Sequence, residues 1–193
     1  MNLRALKRNI PFAATTLVCV VLYLSAGIKF HHDGFFSLRV FVNFFSENAF
    51  LGIAAIGMTF VILSGGIDLS VGGMIGLTSI LLALFIEKFH LHAAIAIPLV
   101  LVFGTLFGAI MGGLIHFFGL PSFLVTLAGM FFARGLGLVL HLESIPINHF
   151  FSAIASRLEI PLVHGLIFPA TAVLYFAAFI IAIWIAHFTR FGR

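Results

Sequence analysis

Long runs without Asp, Glu, Lys or Arg define the predicted elements of this 193-residue chain. A helix needs about 20 mostly apolar residues to cross a bilayer. The uncharged run 89–133 is too long for one crossing, and it divides at Gly119-Leu120-Pro121 because a proline disfavours helix at the residue before it. The pattern predicts six crossings, near residues 9–28, 48–67, 69–86, 93–118, 121–140 and 168–188.

A polar stretch separates the last two predicted spans, at about residues 141–165. Within it Phe150, Phe151, Ile154 and Leu158 recur at three- and four-residue spacing, with polar residues between them. This spacing is typical of a short amphipathic helix that lies on the membrane surface or covers the end of a bundle.

The composition assigns the chain to the integral membrane proteins. Apolar residues make up 62% of the chain and charged residues 8%, whereas charged residues form about a quarter of a soluble domain. We therefore predict an all-α fold, a polytopic transmembrane helical bundle of about six spans whose outer surface contacts the lipid bilayer. Residues 1–193 are predicted to form a single transmembrane domain.

Basic residues are concentrated at both ends of the chain, where Arg4, Lys7 and Arg8 precede the first span and Arg190 and Arg193 follow the last. Basic flanks stay on the cytoplasmic side, which predicts that both termini are cytoplasmic. The first apolar run lacks a small-residue cleavage site, so we expect an uncleaved signal-anchor. Because the excess charge lies at the ends and not on a basic patch, no nucleic-acid partner is predicted.

Asp68 is the only ionised side chain between Glu47 and Glu87. A carboxylate exposed to hydrocarbon costs several kcal/mol by even the mildest insertion scales, so Asp68 should face protein, water or a membrane surface. One interpretation is a cap for a helix that starts at about Leu69 or Ser70. The other is a cation partner or the lining of a hydrophilic cavity, because the neighbouring glycines weaken the helix as in the broken helices of transporters.

Arg134 is the second unusual charge, because it lies within the fifth predicted span. It could reach the interface by snorkelling, pair with Asp68 or with carbonyl groups, or line a polar path. The sequence leaves these alternatives open.

Uncharged polar residues add candidate contacts within the spans, namely Asn48, Thr59, Ser64, Ser122 and Thr126. These groups could bind sugar hydroxyls, or they could bond to carbonyl groups of their own helices.

Three glycines, Gly104, Gly108 and Gly112, recur every four residues in the fourth predicted span. Small residues on one helix face allow a neighbouring backbone to approach closely. The spacing therefore predicts a close helix–helix contact at this stripe.

Several classes of site are excluded by the residues present. Cys19 is the only cysteine, so no disulfide framework or thiolate zinc site is expected within the chain. The nine histidines include no HExxH pair, and neither a GxSxG elbow nor a GxxxxGK[ST] phosphate loop occurs. We predict no metal, no cofactor and no enzymatic activity for this chain.

Residues 48–73, NAFLGIAAIGMTFVILSGGIDLSVGG, resemble the permease family of bacterial ABC importers for ribose, xylose, galactose and similar sugars. The family core AxGMTxVILxGGIDLSVG is matched from Ala55 to Gly72. Residues 120–135, LPSFLVTLAGMFFARG, resemble a second family block, and residues 189–193, TRFGR, resemble the start of the cytoplasmic loop before the coupling region. Residues 143–149, ESIPINH, and 128–132, AGMFF, are most similar to the permease of a galactofuranose importer.

The resemblance implies a non-enzymatic subunit of the bacterial inner membrane that imports a monosaccharide, galactofuranose or a related sugar. It implies three protein partners: a cytoplasmic ATPase subunit that hydrolyses ATP, a periplasmic sugar-binding protein and a second permease subunit. The candidate residues of the substrate pathway or of the family motifs are Asn48, Thr59, Gly65, Gly66, Asp68, Ser70, Thr126 and Arg134.

Members of that family are longer than three hundred residues, so the resemblance also implies that this chain is the N-terminal portion and that the half containing the coupling helix is missing. Two alternatives to sugar import stay open at this point. The chain could be a truncated membrane fragment that transports nothing, or an ion-coupled carrier that uses Asp68 and Arg134.

Overall fold

The computed structural model describes residues 3–31, 34–143, 145–147, 159–162 and 166–189. The regular elements in this part of the chain are helices and one pair of short strands. The helices are α1 (Leu3–Lys29), α2 (Leu38–Glu47), α3 (Ala49–Leu63), α4 (Val71–Ala83, extended by a π-helical turn at Leu84–Lys88), α5 (Ala93–Phe118), α6 (Ser122–Leu140) and α7 (Ala170–Phe188). The strands are β1 (Glu159–Leu162) and β2 (Leu166–Pro169), which pair antiparallel.

The predicted polytopic helical bundle is confirmed. Within the described residues, four helices are long and apolar enough to cross a membrane, at Val71–Lys88, Ala93–Phe118, Ser122–Leu140 and Thr171–Phe188. The apolar part of α1, Ala13–Lys29, and the shorter apolar helix Ala49–Leu63 overlap the first two predicted spans. Each of the six predicted spans thus contains an apolar helix, although the number of crossings itself stays a prediction.

The structure corrects the start of the last span. Residues 166–169 form strand β2, where Phe168 is opposite Ile160 of β1, and α7 begins only at Ala170. Proline lacks an amide hydrogen and suits the position just before or at the first turn of a helix, so Pro169 separates the strand from the helix. The amphipathic helix predicted at residues 150–158 lies outside the described residues.

The predicted break between α5 and α6 is confirmed. Gly119 ends α5 in the left-handed region at a φ of 64°, a conformation that glycine adopts without steric cost. The carbonyl oxygen of Pro121 then accepts the amide hydrogens of Leu124 and Val125, which starts α6.

Helices α4 and α6 pack side by side and run in the same direction. A Cβ atom at Gly73 would lie 3.0 Å from the carbonyl oxygen of Met130, and one at Gly137 would lie 3.1 Å from Cδ1 of Ile80. Contacts therefore advance together along both helices. Helix α5, which lies between α4 and α6 in the sequence, must therefore run in the opposite direction to both.

Gly73 and its neighbour Gly72 provide a matched test of this packing. Replacing Gly73 by alanine is expected to lower the free energy of unfolding by about 1–3 kcal/mol, because the new methyl group meets backbone atoms of Met130 that cannot rotate away. At Gly72 the added Cβ meets no described atom within 4 Å, and alanine favours a helix over glycine by at most about 1 kcal/mol. Thermal unfolding in detergent should therefore separate the two variants. Equal destabilisation would contradict the packing.

Aromatic contacts join α7 to α2 and α3. The ring of Tyr175 covers Gly52 of α3, and the rings of Tyr175 and Phe176 contact Phe45 of α2. The described bundle thus has two packed groups: α2, α3 and α7 form one, and α4, α5 and α6 form the other. Residues 64–70, between α3 and α4, are the first place where the chain passes from one group to the other.

Candidate functional site

The residues Ser64, Gly65 and Gly66 end α3 in a Schellman motif. The amide of Gly66 donates to the carbonyl oxygen of Val61 at 3.0 Å, and the amide of Gly65 donates to that of Ile62 at 3.0 Å. This pair of bonds requires a left-handed residue, and Gly65 provides it with a φ of 80°. Gly65 therefore acts first as a helix terminator.

Beyond this motif, the irregular segment from Gly66 to Ser70 lies against the first turns of α6. The amide of Ile67 donates to Oγ of Ser122 at 3.1 Å, and the amide of Leu69 donates to Oγ1 of Thr126 at 3.1 Å. We call Ser122 and Thr126 the hydroxyl clamp. Ser122 and Thr126 are four residues apart on a helix, a rise of about 6 Å. The amides they accept are two residues apart on an extended segment, a rise of about 6.6 Å. The spacing of the two hydroxyls therefore nearly equals the spacing of the two amides.

Thr126 is the more buried member of the clamp, with 4% of its surface exposed. Its Oγ1 lies 2.8 Å from the carbonyl oxygen of Ser122 and 3.1 Å from that of Ile67. A hydroxyl carries one hydrogen, so it donates to one of these carbonyls while it accepts the amide of Leu69. The sequence left two roles open for Thr126, binding a sugar hydroxyl or bonding to a carbonyl group of its own helix, and the second bond is present.

Asp68 organises the start of α4. Its Oδ1 accepts the backbone amide of Ser70 at 2.8 Å and the Ser70 hydroxyl at 2.6 Å. This is an Asx turn, in which the side chain bonds to the backbone two residues on. The predicted helix cap is thus corrected in position: α4 begins at Val71 with Ser70 as its N-cap, and the carboxylate binds the N-cap residue, not an amide of the first turn.

The second carboxylate oxygen of Asp68, Oδ2, has no hydrogen-bond partner in the described part of the chain. No buried side-chain oxygen or nitrogen among the described residues lacks a partner. Oδ2 must therefore be accessible. The cavity beside it has a volume of about 530 Å³, and we call it the polar cleft; its lining includes Ser64, Asp68, Gly108, Gly112, Ser122 and Thr126.

A second cavity of about 400 Å³ adjoins the polar cleft. Asp68, Val61, Gly108 and Met111 line both cavities, and the second one extends along α4 to Thr78. Asp68 thus lies where two cavities meet, between the end of α3 and the middle of α5.

The glycine stripe on α5 borders this space, and no described element makes the predicted close helix contact there. A Cβ atom at Gly104, Gly108 or Gly112 would meet no described atom within 4 Å. Gly108 and Gly112 line the polar cleft, and Gly104 and Gly108 line the second cavity. The absence of side chains at these positions widens the space in front of Asp68.

The candidate residues Asn48 and Thr59 are among those that do not line the polar cleft. The Asn48 side-chain amide donates to the carbonyl oxygen of Phe44 at 2.8 Å, and the Thr59 hydroxyl donates to that of Ala55 at 2.8 Å. Both follow the alternative in which polar groups bond to the backbone one turn earlier. Ser64 does the same toward Val61 at 2.7 Å, although it also lines the polar cleft.

Arg134 is separated from Asp68. It lines a different groove of about 340 Å³, together with Gly72, Gly73 and Gly76 of α4. Its side chain is exposed, and among the described residues it has no ion pair or hydrogen bond, so pairing with Asp68 is not observed. Of the candidate residues, the structure therefore brings together Gly65, Gly66, Asp68, Ser70 and Thr126. It leaves out Asn48, Thr59 and Arg134.

The electrostatics of the polar cleft rest on one carboxylate and several hydroxyl groups. None of the described residues that line it is Lys, Arg or His. In the described part of the chain, no group of three or more His, Cys, Asp or Glu side chains is arranged to hold a metal ion. A ligand in the cleft can therefore donate hydrogen bonds to the Asp68 carboxylate. It can also donate to, or accept from, the hydroxyl groups of the lining.

Comparison with known proteins decides the family. Residues 40–193 match the family described as "Branched-chain amino acid transport system / permease component". The chain belongs to this family. It is therefore an integral membrane protein of a transport permease class, and the resemblance of residues 48–73 and 120–135 to such permeases is confirmed.

Three relatives show the range of this family. An inner membrane ABC transporter permease protein of Escherichia coli K12, YjfF, is 49% identical over 188 residues, which are 97% of this chain and 56% of the relative. The fructose import permease FruG of Bifidobacterium longum is 28% identical over 97% of this chain and 56% of its own. The ribose import permease RbsC of Haemophilus influenzae is 36% identical over 68% of this chain and 40% of its own.

The chain spans about half the length of these curated relatives. No solved structure matches it.

Proposed function

We propose that the chain is the permease subunit of an ABC importer that moves a neutral monosaccharide through the polar cleft. Family membership supports the transport role, and relatives named for fructose and ribose support a sugar. Galactofuranose or a related sugar is the first candidate, because residues 143–149 and 128–132 resemble a galactofuranose permease. The observation that carries the proposal is the accessible Oδ2 of Asp68, a residue that lines the same cleft as the hydroxyl-bearing residues Ser64, Ser122 and Thr126.

The lining of the cleft favours a sugar over an amino acid, although the family description names branched-chain amino acids. A zwitterionic amino acid presents a carboxylate, which a buried site must match with a cation or with several donors. The described lining offers a carboxylate and no basic side chain. A sugar hydroxyl can donate to Oδ2 and accept from a serine hydroxyl, so a neutral polyol satisfies both kinds of group.

The break between α3 and α4 supports a place for this cleft on the substrate path. Helix α3 has 15 residues, which give about 22 Å at 1.5 Å per residue and fall short of the roughly 30 Å hydrocarbon core. Non-helical backbone at membrane depth is tolerated where it is buried in protein or lines a water-filled cavity. The segment from Gly66 to Ser70 meets the second condition, because Gly66, Ile67 and Asp68 line the polar cleft. The hydroxyl clamp also bonds two of its backbone amides.

The proposal includes the setting of the subunit. Residues 1–193 form one transmembrane permease domain, the N-terminal portion of a family-type permease, in the bacterial inner membrane with both termini cytoplasmic. A cytoplasmic ATPase hydrolyses ATP, a periplasmic sugar-binding protein delivers the sugar, and a second permease subunit completes the pathway. Asn48, Thr59 and Arg134 stay candidates of the same pathway in that complete assembly.

An uptake measurement in the source bacterium tests this proposal. Deleting the gene is expected to reduce uptake of one radiolabelled monosaccharide at least tenfold, and a plasmid copy of the gene should restore it. The panel contains galactofuranose, galactose, ribose, xylose and fructose, with leucine, isoleucine and valine as the amino-acid arm. Loss of amino-acid uptake alone, or no loss of any uptake, would contradict the proposal.

An ionophore arm separates ATP-driven import from ion-coupled transport by Asp68. We expect uptake to continue after the proton and sodium gradients have collapsed, while cellular ATP is held constant. Uptake that stops with the gradients would favour the ion-coupled carrier.

A further inference from the structure

Met111 of α5 occupies the point where three cavities meet. It lines the polar cleft, the second cavity of about 400 Å³, and a third cavity of about 730 Å³ between α5 and α6. The third cavity, which we call the apolar cavity, is lined by side chains such as Ile110, Leu114, Leu124 and Phe132. Met111 itself is 9% exposed. Among the described residues, Met111 is the one that lines both the polar cleft and the apolar cavity.

The thioether of Met111 rests on Gly129 of α6. A Cβ atom at Gly129 would lie 2.5 Å from Sδ of Met111 and 3.5 Å from the ring of Phe107. The glycine thus provides the space that the sulfur occupies, and any larger residue at this position would push Met111 away from α6. The space on the other side of Met111 is the polar cleft.

Met111 also has room to move. Methionine has three rotatable side-chain bonds and adapts to irregular gaps. Its neighbours on the cleft side of α5, Gly108 and Gly112, have no side chains, and a Cβ at either position would meet no described atom within 4 Å. A rotation of Met111 therefore changes the width of the polar cleft without displacing another side chain of α5.

We propose that Met111 closes the polar cleft against the apolar cavity and sets the width of the substrate path. When its side chain lies on Gly129, water and a polyol stay on the Asp68 side. Removal of the side chain joins the two cavities, and displacement of the side chain from Gly129 narrows the polar cleft. The second part of the proposal, a role in the size of the accepted sugar, rests on the proposed import function.

A labelling experiment tests the barrier without any transport. In the full chain with Cys19→Ser, a cysteine is introduced by Ala128→Cys, because Ala128 lines the apolar cavity. In membranes, a water-soluble and membrane-impermeant thiol reagent should reach this cysteine slowly while Met111 is present. Adding Met111→Ala is expected to raise the labelling rate at least tenfold, whereas Met111→Leu, which conserves volume, should leave it unchanged. Equal rates in all three proteins would overturn the barrier.

An import measurement tests the role in substrate size. Gly129→Ala is expected to raise the sugar concentration for half-maximal uptake at least fivefold, because Met111 is pushed into the polar cleft. Gly113→Ala is the matched control, since its Cβ would lie 3.9 Å from the nearest described atom, in the Phe117 ring. An unchanged half-saturation in Gly129→Ala would overturn this role. Absence of sugar uptake by the wild-type chain would count against the import function alone, and the labelling result would still decide the barrier.

Discussion

Replacing Thr126 by valine is expected to lower the free energy of unfolding by about 1–3 kcal/mol. Valine has the same shape as threonine but cannot accept the amide of Leu69, which bonds to Oγ1 at 3.1 Å. Thr126 is 4% exposed, so little water can replace the lost acceptor. A buried amide without a partner costs about this amount. The segment around Asp68 should therefore detach from α6 more readily.

The comparison with two other hydroxyls identifies the clamp as the cause. Ser122→Ala should cost less, because the bond between the Ile67 amide and Ser122 lies in an exposed region where water can substitute. Thr105→Val is the matched control, since the Thr105 hydroxyl is exposed and donates to the carbonyl oxygen of Leu101 in its own helix. Thermal unfolding of the full chain in detergent measures all three. A Thr126→Val protein as stable as Thr105→Val would contradict the clamp.

The local elements of this fold follow from the sequence because their causes are local. Uncharged runs of membrane length locate the apolar helices, and Gly119-Leu120-Pro121 marks the break between α5 and α6. Gly65 and Gly66 mark the end of α3 because only a left-handed residue completes that motif. The family also follows from the sequence, since residues 48–73 and 120–135 carry its motifs in order.

The strand pair and the role of the α5 glycines were not foreseen. Residues 159–169 contain two prolines and apolar residues in short runs, a pattern that also fits the start of a membrane span. A stripe such as Gly104, Gly108 and Gly112 permits a close helix contact, but it equally permits an open cleft. Which of the two occurs depends on whether another element packs there, and helix periodicity does not contain that information.

The hydroxyl clamp joins residues that are 55 and 57 positions apart, so it depends on how α4 packs beside α6. The sequence carries a weak signal, the four-residue spacing of Ser122 and Thr126, which puts both hydroxyls on one helix face. Met111 carries no such signal, because an apolar residue in an apolar helix is ordinary. Its importance arises only from the three cavities around it.

The polar cleft should be filled with water in the membrane. The accessible Oδ2 of Asp68 requires solvent or a ligand there, because a carboxylate facing hydrocarbon would be strongly disfavoured. A cysteine introduced by Gly112→Cys in the Cys19→Ser background would project into this cleft, where no described atom lies within 4 Å of its Cβ. Its thiol should ionise and react as it does in water.

Leu106→Cys provides the matched control on the same helix. Leu106 is 59% exposed on the surface of α5. We expect this surface to face lipid, where a charged reagent does not enter and a thiolate does not form. We therefore expect the cysteine at position 112 to react at least tenfold faster than the cysteine at position 106.

The central claim, that the cleft at Asp68 is the aqueous path of a sugar, is tested most directly by the labelling rate of Gly112→Cys with and without the imported monosaccharide. The measurement uses a membrane-impermeant thiol reagent on membranes that contain the complete importer. The account predicts fast labelling that slows at least threefold when the sugar is present at saturating concentration, with no change at position 106. Labelling at position 112 as slow as at position 106, or labelling that the sugar does not affect, would contradict it.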